Sequence, residues 1–191
     1  MLTLSYSDLI TSRGFKYVFQ TSATAAAQAE MALPVMMKLA ESNGTRPKTV
    51  AIITDNTGAS VASVKPMRER LLKEMGLQLV VDETFTPPLA DATPLIQKVR
   101  TARPDLLFAL PTAVSDAKLL LEKLNEFGLG QGRLPTVGFG IVMAEPDMLK
   151  TMDASQLDGL MLAVGSWGSK GHEKLIAELK TRFNEPWMTQ N

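Results

Sequence analysis

Several side chains on which enzymes and metal sites depend are missing or scarce in this sequence. Cysteine is absent from all 191 residues, which excludes disulfides, thiolate metal sites and a cysteine nucleophile. Histidine occurs once, at His172, so a histidine-based metal site or a Ser-His-Asp triad would be hard to build. We therefore expect a protein without metal, cofactor or catalytic activity.

The sequence also lacks an excess of charge of one sign, and it has no long hydrophobic run. Twenty basic and twenty acidic residues cancel, so no net field attracts nucleic acid or an anionic membrane. No apolar run approaches the roughly 18–20 residues that span a bilayer, and Met1 is not followed by the pattern of a secretion signal. We expect no nucleic-acid partner, no direct membrane insertion and no signal peptide within this sequence.

The chain is organised around the stretch 49–60, in which a short apolar run leads into a polar turn. Asp55, Asn56 and Gly58 form this turn, and a helical pattern follows at once. Strand, turn and helix patterns alternate along the rest of the chain, which indicates βαβ units and a mostly parallel sheet. Most strand patterns are continuous apolar runs, as expected for strands buried on both faces. The sequence predicts an α/β fold with three α-β-α layers, Rossmann-like and flavodoxin-like.

Hydrophobic periodicity and turn residues define the individual elements. Strands are predicted at residues 1–5, 15–20, 49–54, 77–81, 106–110, 136–139 and 160–164. Helices are predicted at residues 23–42, 58–75, 93–101, 114–127, 145–152 and 172–183. Thr21 and Ser22 are suited to cap the first helix, and Thr93 the third. Pro66 conflicts with the second helix, where it could cap the helix, kink it or mark its true start.

The common nucleotide and nucleophile motifs do not occur. The glycines at 128–130 and 138–140 lack the third glycine of a dinucleotide fingerprint, and no P-loop is present. Residues 165–168 do not form a G-x-S-x-G elbow. Asp55 could suggest a phosphoacceptor, but residues 20–22 supply no acidic pair beside it. A cap of its own turn is the favoured interpretation of Asp55.

Small hydroxyl side chains recur in the turns after predicted strands. Such turns bring backbone N–H groups at helix N-termini toward a carboxylate or another polar head group, and Trp167 adds an apolar face. This pattern is more typical of a recognition surface than of a reaction centre. The turns concerned are 21–22, 57–60, 111–112, 140–141 and 166–167.

The order of these segments resembles a known family. YVFQTSAT, KTVAIITDN and ETFTPPLADATPLIQKVRTARPDLLF follow one another as in the type I periplasmic solute-binding proteins of ABC importers. The similarity is to the branch that binds leucine, isoleucine and valine. Its most specific part is Asp91 before an apolar helix, followed by Pro104 and Asp105 at the start of a strand. The resemblance extends from Met1 to about Pro186.

This resemblance implies a non-enzymatic receptor of two α/β lobes that close on a small solute and engage an ABC permease in the periplasm or outside the cell. Residues 1–20 then correspond to a remnant of the first lobe with a hinge crossing, and residues 21–191 to the second lobe. We expect a fragment that lacks most of the first lobe. It could form a homodimer through strand 1–5 or the surface that the first lobe would cover. The alternative is a ligand-sensing domain of a receptor or transcription regulator with the same fold.

The resemblance also indicates where a ligand would bind. Tyr6 replaces a small residue, and the family's aromatic residues are missing near Ala59 and Thr112. Gly140 stands where amino-acid binders carry a glutamate for the ligand's ammonium group. Since a buried ammonium without a carboxylate is costly, we expect a neutral or acidic organic solute, with aromatic compounds among the candidates, rather than an α-amino acid. The implied contacts are Ser5, Tyr6, Ser7, Thr21, Ala59, Ser60, Thr112, Gly140 and Trp167.

Overall fold

Five parallel strands form the central sheet of the protein, whose computed structural model describes residues 1–3, 6–42, 44, 46–139, 142–164 and 171–184. A separate parallel pair is formed by β1 (Leu2–Thr3) and β2 (Phe19–Gln20). The sheet has the order β4-β3-β5-β6-β7, which is the flavodoxin-like order. Its strands are β3 (Thr49–Asp55), β4 (Gln78–Phe85), β5 (Leu106–Leu110), β6 (Thr136–Phe139) and β7 (Leu160–Ala163).

Helices cover both faces of this sheet, so the predicted three-layer α/β fold is confirmed. The first are α1 (Ala25–Ser42), α2 (Gly58–Pro66), α3 (Leu72–Glu74) and α4 (Thr93–Ala102). They are followed by α5 (Val114–Glu126), α6 (Pro146–Thr151), α7 (Ala154–Leu157) and α8 (Glu173–Phe183). Within the described residues, no helix is long and apolar enough to cross a membrane.

The core has two halves because successive side chains of a strand point to opposite faces. Val50 and Ile52 pack with residues of α1 and α2 on one face. Ala51 and Ile53 pack with residues of α4 and α5 on the other face. All four side chains are fully buried, which explains why β3 is a continuous apolar run.

Strand boundaries are predicted most accurately where the strand is buried. β5 and β6 have the predicted bounds; every residue of β5 is buried and apolar, and the first three residues of β6 are buried. β4 was predicted to end at residue 81 but continues to Phe85. It lies at the edge of the sheet, so polar residues such as Asp82 and Thr84 are exposed while they remain in the strand. β7 ends at Ala163, one residue earlier than predicted.

Pro66 neither caps the second helix nor marks its start. It is the last residue of α2, and a π-helical segment, Met67–Leu71, continues directly into α3. There the Leu72 N–H donates to the Met67 carbonyl, five residues earlier. Proline has no N–H for the helical hydrogen bond, and the wider turn that follows lets the chain remain helical.

Several cap assignments were wrong by two or three residues. The Ala27 N–H donates to Thr24 Oγ1 at 3.1 Å, so Thr24 caps α1 in place of Thr21 or Ser22. At α4 the Thr93 N–H donates to Asp91 Oδ1 at 2.8 Å, so Asp91 provides the side-chain acceptor in place of Thr93. The predicted strand 15–20 is reduced to β2, and α7 was not predicted.

Candidate functional site

The sheet places a crevice beside β3. The chain passes from β3 to β4 on one side and then returns to β5 on the other side. In open α/β sheets, the crevice at such a reversal lies outside the carboxyl ends of the two strands and is the usual ligand site. The turns after Asp55 and Leu110 therefore border the candidate site.

Asp55 joins these two turns through both of its carboxylate oxygens. Oδ1 accepts hydrogen bonds from the Thr57 N–H at 3.0 Å and the Thr57 hydroxyl at 2.6 Å. Oδ2 accepts hydrogen bonds from the Thr112 N–H and the Thr112 hydroxyl, each at 2.6 Å. The residue is fully buried. The prediction that Asp55 caps its own turn is confirmed, and the same side chain also fixes the turn after β5.

Ser60 locks the same region from the first turn of α2. Thr57 is the N-cap residue of α2, and its side-chain oxygen accepts a hydrogen bond from the Ser60 N–H. The Ser60 hydroxyl donates to the Leu110 carbonyl at 3.0 Å. These bonds satisfy polar groups at the two strand ends, and they connect the turn that carries Ala59 to the end of β5, which Thr112 follows.

The environment of Asp55 favours its charged form. Burial acts to raise its pKa, but hydrogen bonds, above all from Thr112 and then from Thr57, hold the pKa below the ordinary value of 3.8. The pKa of Asp105 is lowered as well, because the backbone N–H groups of Lys48 and Thr49 donate to its carboxylate. Both carboxylates therefore bind protons less readily in the folded chain than in the unfolded chain.

We expect the free energy of unfolding to decrease in acid because of these two carboxylates. Their stabilisation is fully present above the unfolded pKa, near 3.8, and is lost as the pH falls through their lowered folded pKa values. Urea unfolding between about pH 2 and pH 7 measures this decrease. Asp55→Asn should make the decrease smaller. A variant curve parallel to that of the unmodified chain over the whole range would contradict the assignment.

A cavity of about 250 Å³ opens beside this network. Tyr6 brings the N-terminal segment onto it, since the Tyr6 carbonyl accepts a hydrogen bond from the Ala25 N–H at 2.8 Å. Apolar groups and small polar groups line the cavity, and none of the lining side chains is charged. The lining residues are Tyr6, Ala25, Gln28, Ala59, Ser60, Ser63, Leu110, Pro111, Thr112, Phe139 and Val142.

The structure brings four of the nine predicted contact residues together, namely Tyr6, Ala59, Ser60 and Thr112. Thr21 is not among the lining residues. Its N–H and hydroxyl donate to the Thr3 carbonyl at 3.0 and 3.2 Å, so it joins β1 to the start of the helical segment. Ser7 is not a lining residue either. The predicted contacts Ser5, Gly140 and Trp167 lie outside the described residues.

Two polar lining residues were missed by the sequence interpretation. Ser63 lies one helical turn after Ser60, and Gln28 lies one turn after Ala25. The helical spacing of three residues was the available signal. Phe139 was missed too, although it is the last residue of β6 and therefore at the carboxyl edge of the sheet. Its ring stacks on Phe108 at 5.8 Å between centroids.

An uncharged crevice at the switch point of a parallel sheet defines a ligand-binding α/β domain. Comparison with known families agrees with this class: the profile described as periplasmic binding protein matches residues 1–190. The chain belongs to this family. It is a family of solute-binding proteins and not of enzymes, in agreement with the sequence-based expectation.

Individual relatives are distant. The Leu/Ile/Val-binding protein homolog 7 of Brucella abortus (strain 2308) is 25% identical over 189 residues, which are 94% of this chain and 46% of that protein. Among solved structures, the amino acid ABC transporter substrate-binding protein of Pseudomonas fluorescens Pf-5 has a TM-score of 0.71 at 15% identity. That alignment covers 88% of this chain and 44% of the Pseudomonas chain.

A third relative is a solute-binding protein of an ABC transporter from Rhodopseudomonas palustris BisB5, solved in complex with 3,4-dihydroxybenzoic acid. It has a TM-score of 0.67 at 21% identity, and the alignment covers 94% of this chain and 47% of that one. At these identities the structural likeness establishes the fold alone. The chain spans about half the length of the relatives it matches.

Proposed function

We propose that this chain is the second ligand-binding lobe of an extracytoplasmic solute receptor that serves an ABC importer. In this proposal residues 1–20 are the remnant of a first lobe with its hinge crossing, and residues 21–191 are the second lobe. The family membership and the half-length match to two relatives of ABC transporters support it. A permease is then the partner of the complete receptor, and the compartment is the periplasm or the cell exterior.

The observation that carries the proposal is the uncharged cavity at the carboxyl ends of β3, β5 and β6. A wall of this kind has no general base or nucleophile that is free to react, but it offers small polar groups and apolar surface to a ligand. The first lobe of the complete receptor, placed over this opening, would exclude water and strengthen these weak contacts. The predicted contacts Tyr6, Ala59, Ser60 and Thr112 are therefore proposed as ligand-binding residues.

We further propose that the solute is a small organic compound other than an α-amino acid. Among the described lining residues no carboxylate faces the cavity, and position 140 is a glycine. Asp55 is close by, but its two oxygens already accept four hydrogen bonds from Thr57 and Thr112. An ammonium group would therefore be desolvated here without an anionic partner.

Apolar lining residues and small hydroxyl groups suit an aromatic or aliphatic solute with a few polar substituents. Tyr6 and Phe139 line the same cavity, and aromatic side chains pair favourably with an aromatic ligand. The Rhodopseudomonas relative solved with 3,4-dihydroxybenzoic acid is an example of a protein of this fold with such a ligand. It supports the ligand class without identifying the compound.

The test is isothermal titration calorimetry on a two-lobed protein that contains this sequence as its second lobe. Leucine, isoleucine and valine should show no binding in the micromolar range, whereas hydroxylated aromatic acids should include at least one ligand. Micromolar affinity for any of the three amino acids would contradict the proposed ligand class. The isolated chain should bind the same solutes far more weakly, because half of the contacts are missing.

A further inference from the structure

Two serine hydroxyl groups on the cavity wall use their hydrogen atoms within the protein. The Ser60 hydroxyl donates to the Leu110 carbonyl at 3.0 Å. The Ser63 hydroxyl donates to the Ala59 carbonyl, also at 3.0 Å. A carbonyl oxygen only accepts hydrogen bonds, so the direction of both bonds is fixed. A hydroxyl group has one hydrogen and two lone pairs, and both serines therefore have only lone pairs left to offer to a solute.

Thr112 has the same polarity, and a charged partner fixes it more firmly. Its hydroxyl donates at 2.6 Å to Oδ2 of Asp55, a buried carboxylate whose surroundings favour the charged form. An ionised carboxylate has no hydrogen to donate, so the Thr112 hydroxyl keeps its direction at neutral pH. Donation to an anion also polarises the hydroxyl group and makes its oxygen a better acceptor.

Gln28 adds a further acceptor from α1. Its side-chain Nε2 donates to the Ala23 carbonyl at 3.0 Å, so the amide nitrogen is the atom that this bond engages, and Oε1 remains as an acceptor. The side chain is half-buried and lines the cavity. Acceptor oxygens therefore come from α1, from α2 and from the turn after β5, and none of the lining side chains is charged.

We infer that this wall recognises the hydroxyl hydrogens of its solute, an inference that rests on the proposed function because the solute must bind in this cavity. Neutral hydroxyl groups are the donors that fit, since no lining side chain carries the charge that an ammonium group would need. A solute of the same shape without these hydrogens leaves the oxygens desolvated and unpaired. The wall therefore selects hydroxylated solutes. The acceptors are Oε1 of Gln28 and the hydroxyl oxygens of Ser60, Ser63 and Thr112.

Pairs of hydroxylated and fluorinated aromatic acids test this inference by NMR on the ¹⁵N-labelled chain. A fluorine atom is close in size to a hydroxyl group but has no hydrogen to donate. Among mono- and dihydroxybenzoic acids, at least one should shift the amide signals of Ala59, Ser60 and Thr112. Its fluorinated counterpart should bind at least about tenfold more weakly. Its methyl ester, which keeps the hydroxyl groups and loses the carboxylate, should still shift the same signals.

Ser63→Ala assigns the effect to the wall. The substitution removes one acceptor oxygen, and alanine is well suited to a helix, so the fold should be retained. The affinity for the hydroxylated acid should fall about fivefold, whereas the affinity for the fluorinated acid should not change. Ser42→Ala is the matched control, because the Ser42 hydroxyl also donates to a helix carbonyl, that of Leu39 at 2.8 Å, but does not line the cavity. It should leave both affinities unchanged.

The outcomes separate this inference from the proposed function. Equal affinity for the hydroxylated and fluorinated acids, with shifts at the cavity amides, would overturn the inference and leave the cavity as the binding site. Loss of the shifts with the methyl ester but not with the fluorinated acid would also overturn it, since the wall would then hold the carboxylate. If no acid of the panel shifts these amides, the inference and the proposed position of the solute are both contradicted.

Discussion

Replacement of Asp55 by alanine should lower the free energy of unfolding by about 3 kcal/mol or more. The substitution removes the acceptor of four hydrogen bonds, and it leaves the N–H and hydroxyl groups of Thr57 and Thr112 without their partner. Asp55 itself is fully buried and Thr57 is half-buried, whereas Thr112 is exposed, so water replaces the lost acceptor poorly at the buried carboxylate position and at Thr57. Asp55→Asn keeps one acceptor oxygen but turns an NH₂ group toward donors, so we expect a smaller but still clear loss.

Urea unfolding followed by circular dichroism measures this effect. Asp82→Ala is the matched control, because Asp82 lies in the neighbouring strand β4 but is exposed and pairs with Arg68 at the surface. Its loss should cost no more than about 1 kcal/mol. If Asp55→Ala and Asp82→Ala were equally stable, Asp55 could not be the residue that holds the two strand-end turns together.

The second large effect concerns binding. Ala59→Trp should weaken solute binding by the two-lobed protein at least about 100-fold, or about 2.7 kcal/mol. Ala59 is half-buried in the first turn of α2 and lines the cavity of about 250 Å³. An indole ring at this position would occupy space that the solute needs. Stability should change little, since the side chain extends into the cavity and not into the core.

Val61→Trp is the control for this substitution. Val61 lies two residues further along the same helix, is 46% exposed and is not a cavity residue. Calorimetry with a hydroxylated aromatic acid should therefore give unchanged affinity for Val61→Trp. Unchanged affinity for Ala59→Trp as well would show that the solute binds elsewhere.

The sequence was most informative where a strand is buried on both faces. β5 and β6 were predicted with the observed bounds because all residues of β5 and the first three of β6 are buried. The end of β4 was missed because an edge strand can carry Asp82 and Thr84 toward solvent without leaving the sheet. Propensity alone cannot separate such residues from a loop.

At the candidate site, too, some residues could be predicted from the sequence and others could not. Ala59, Ser60 and Thr112 could be predicted because turns after parallel strands meet at one edge of the sheet. The bond between Asp55 and Thr112 could not be predicted, since it requires that β5, and not β4 alone, lies next to β3. Gln28 and Ser63 were missed because the helical pattern was used to find the core and not the surface that faces the crevice.

The position of the solute is the central claim, and NMR chemical-shift mapping on this chain tests it most directly. Among hydroxylated aromatic acids titrated into the ¹⁵N-labelled protein at concentrations high enough for weak binding, at least one should shift the amide signals of Ala59, Ser60 and Thr112 most strongly. Leucine at the same concentrations should leave them in place. Shifts confined to residues outside the cavity, or equal shifts of these three signals with leucine, would contradict the account.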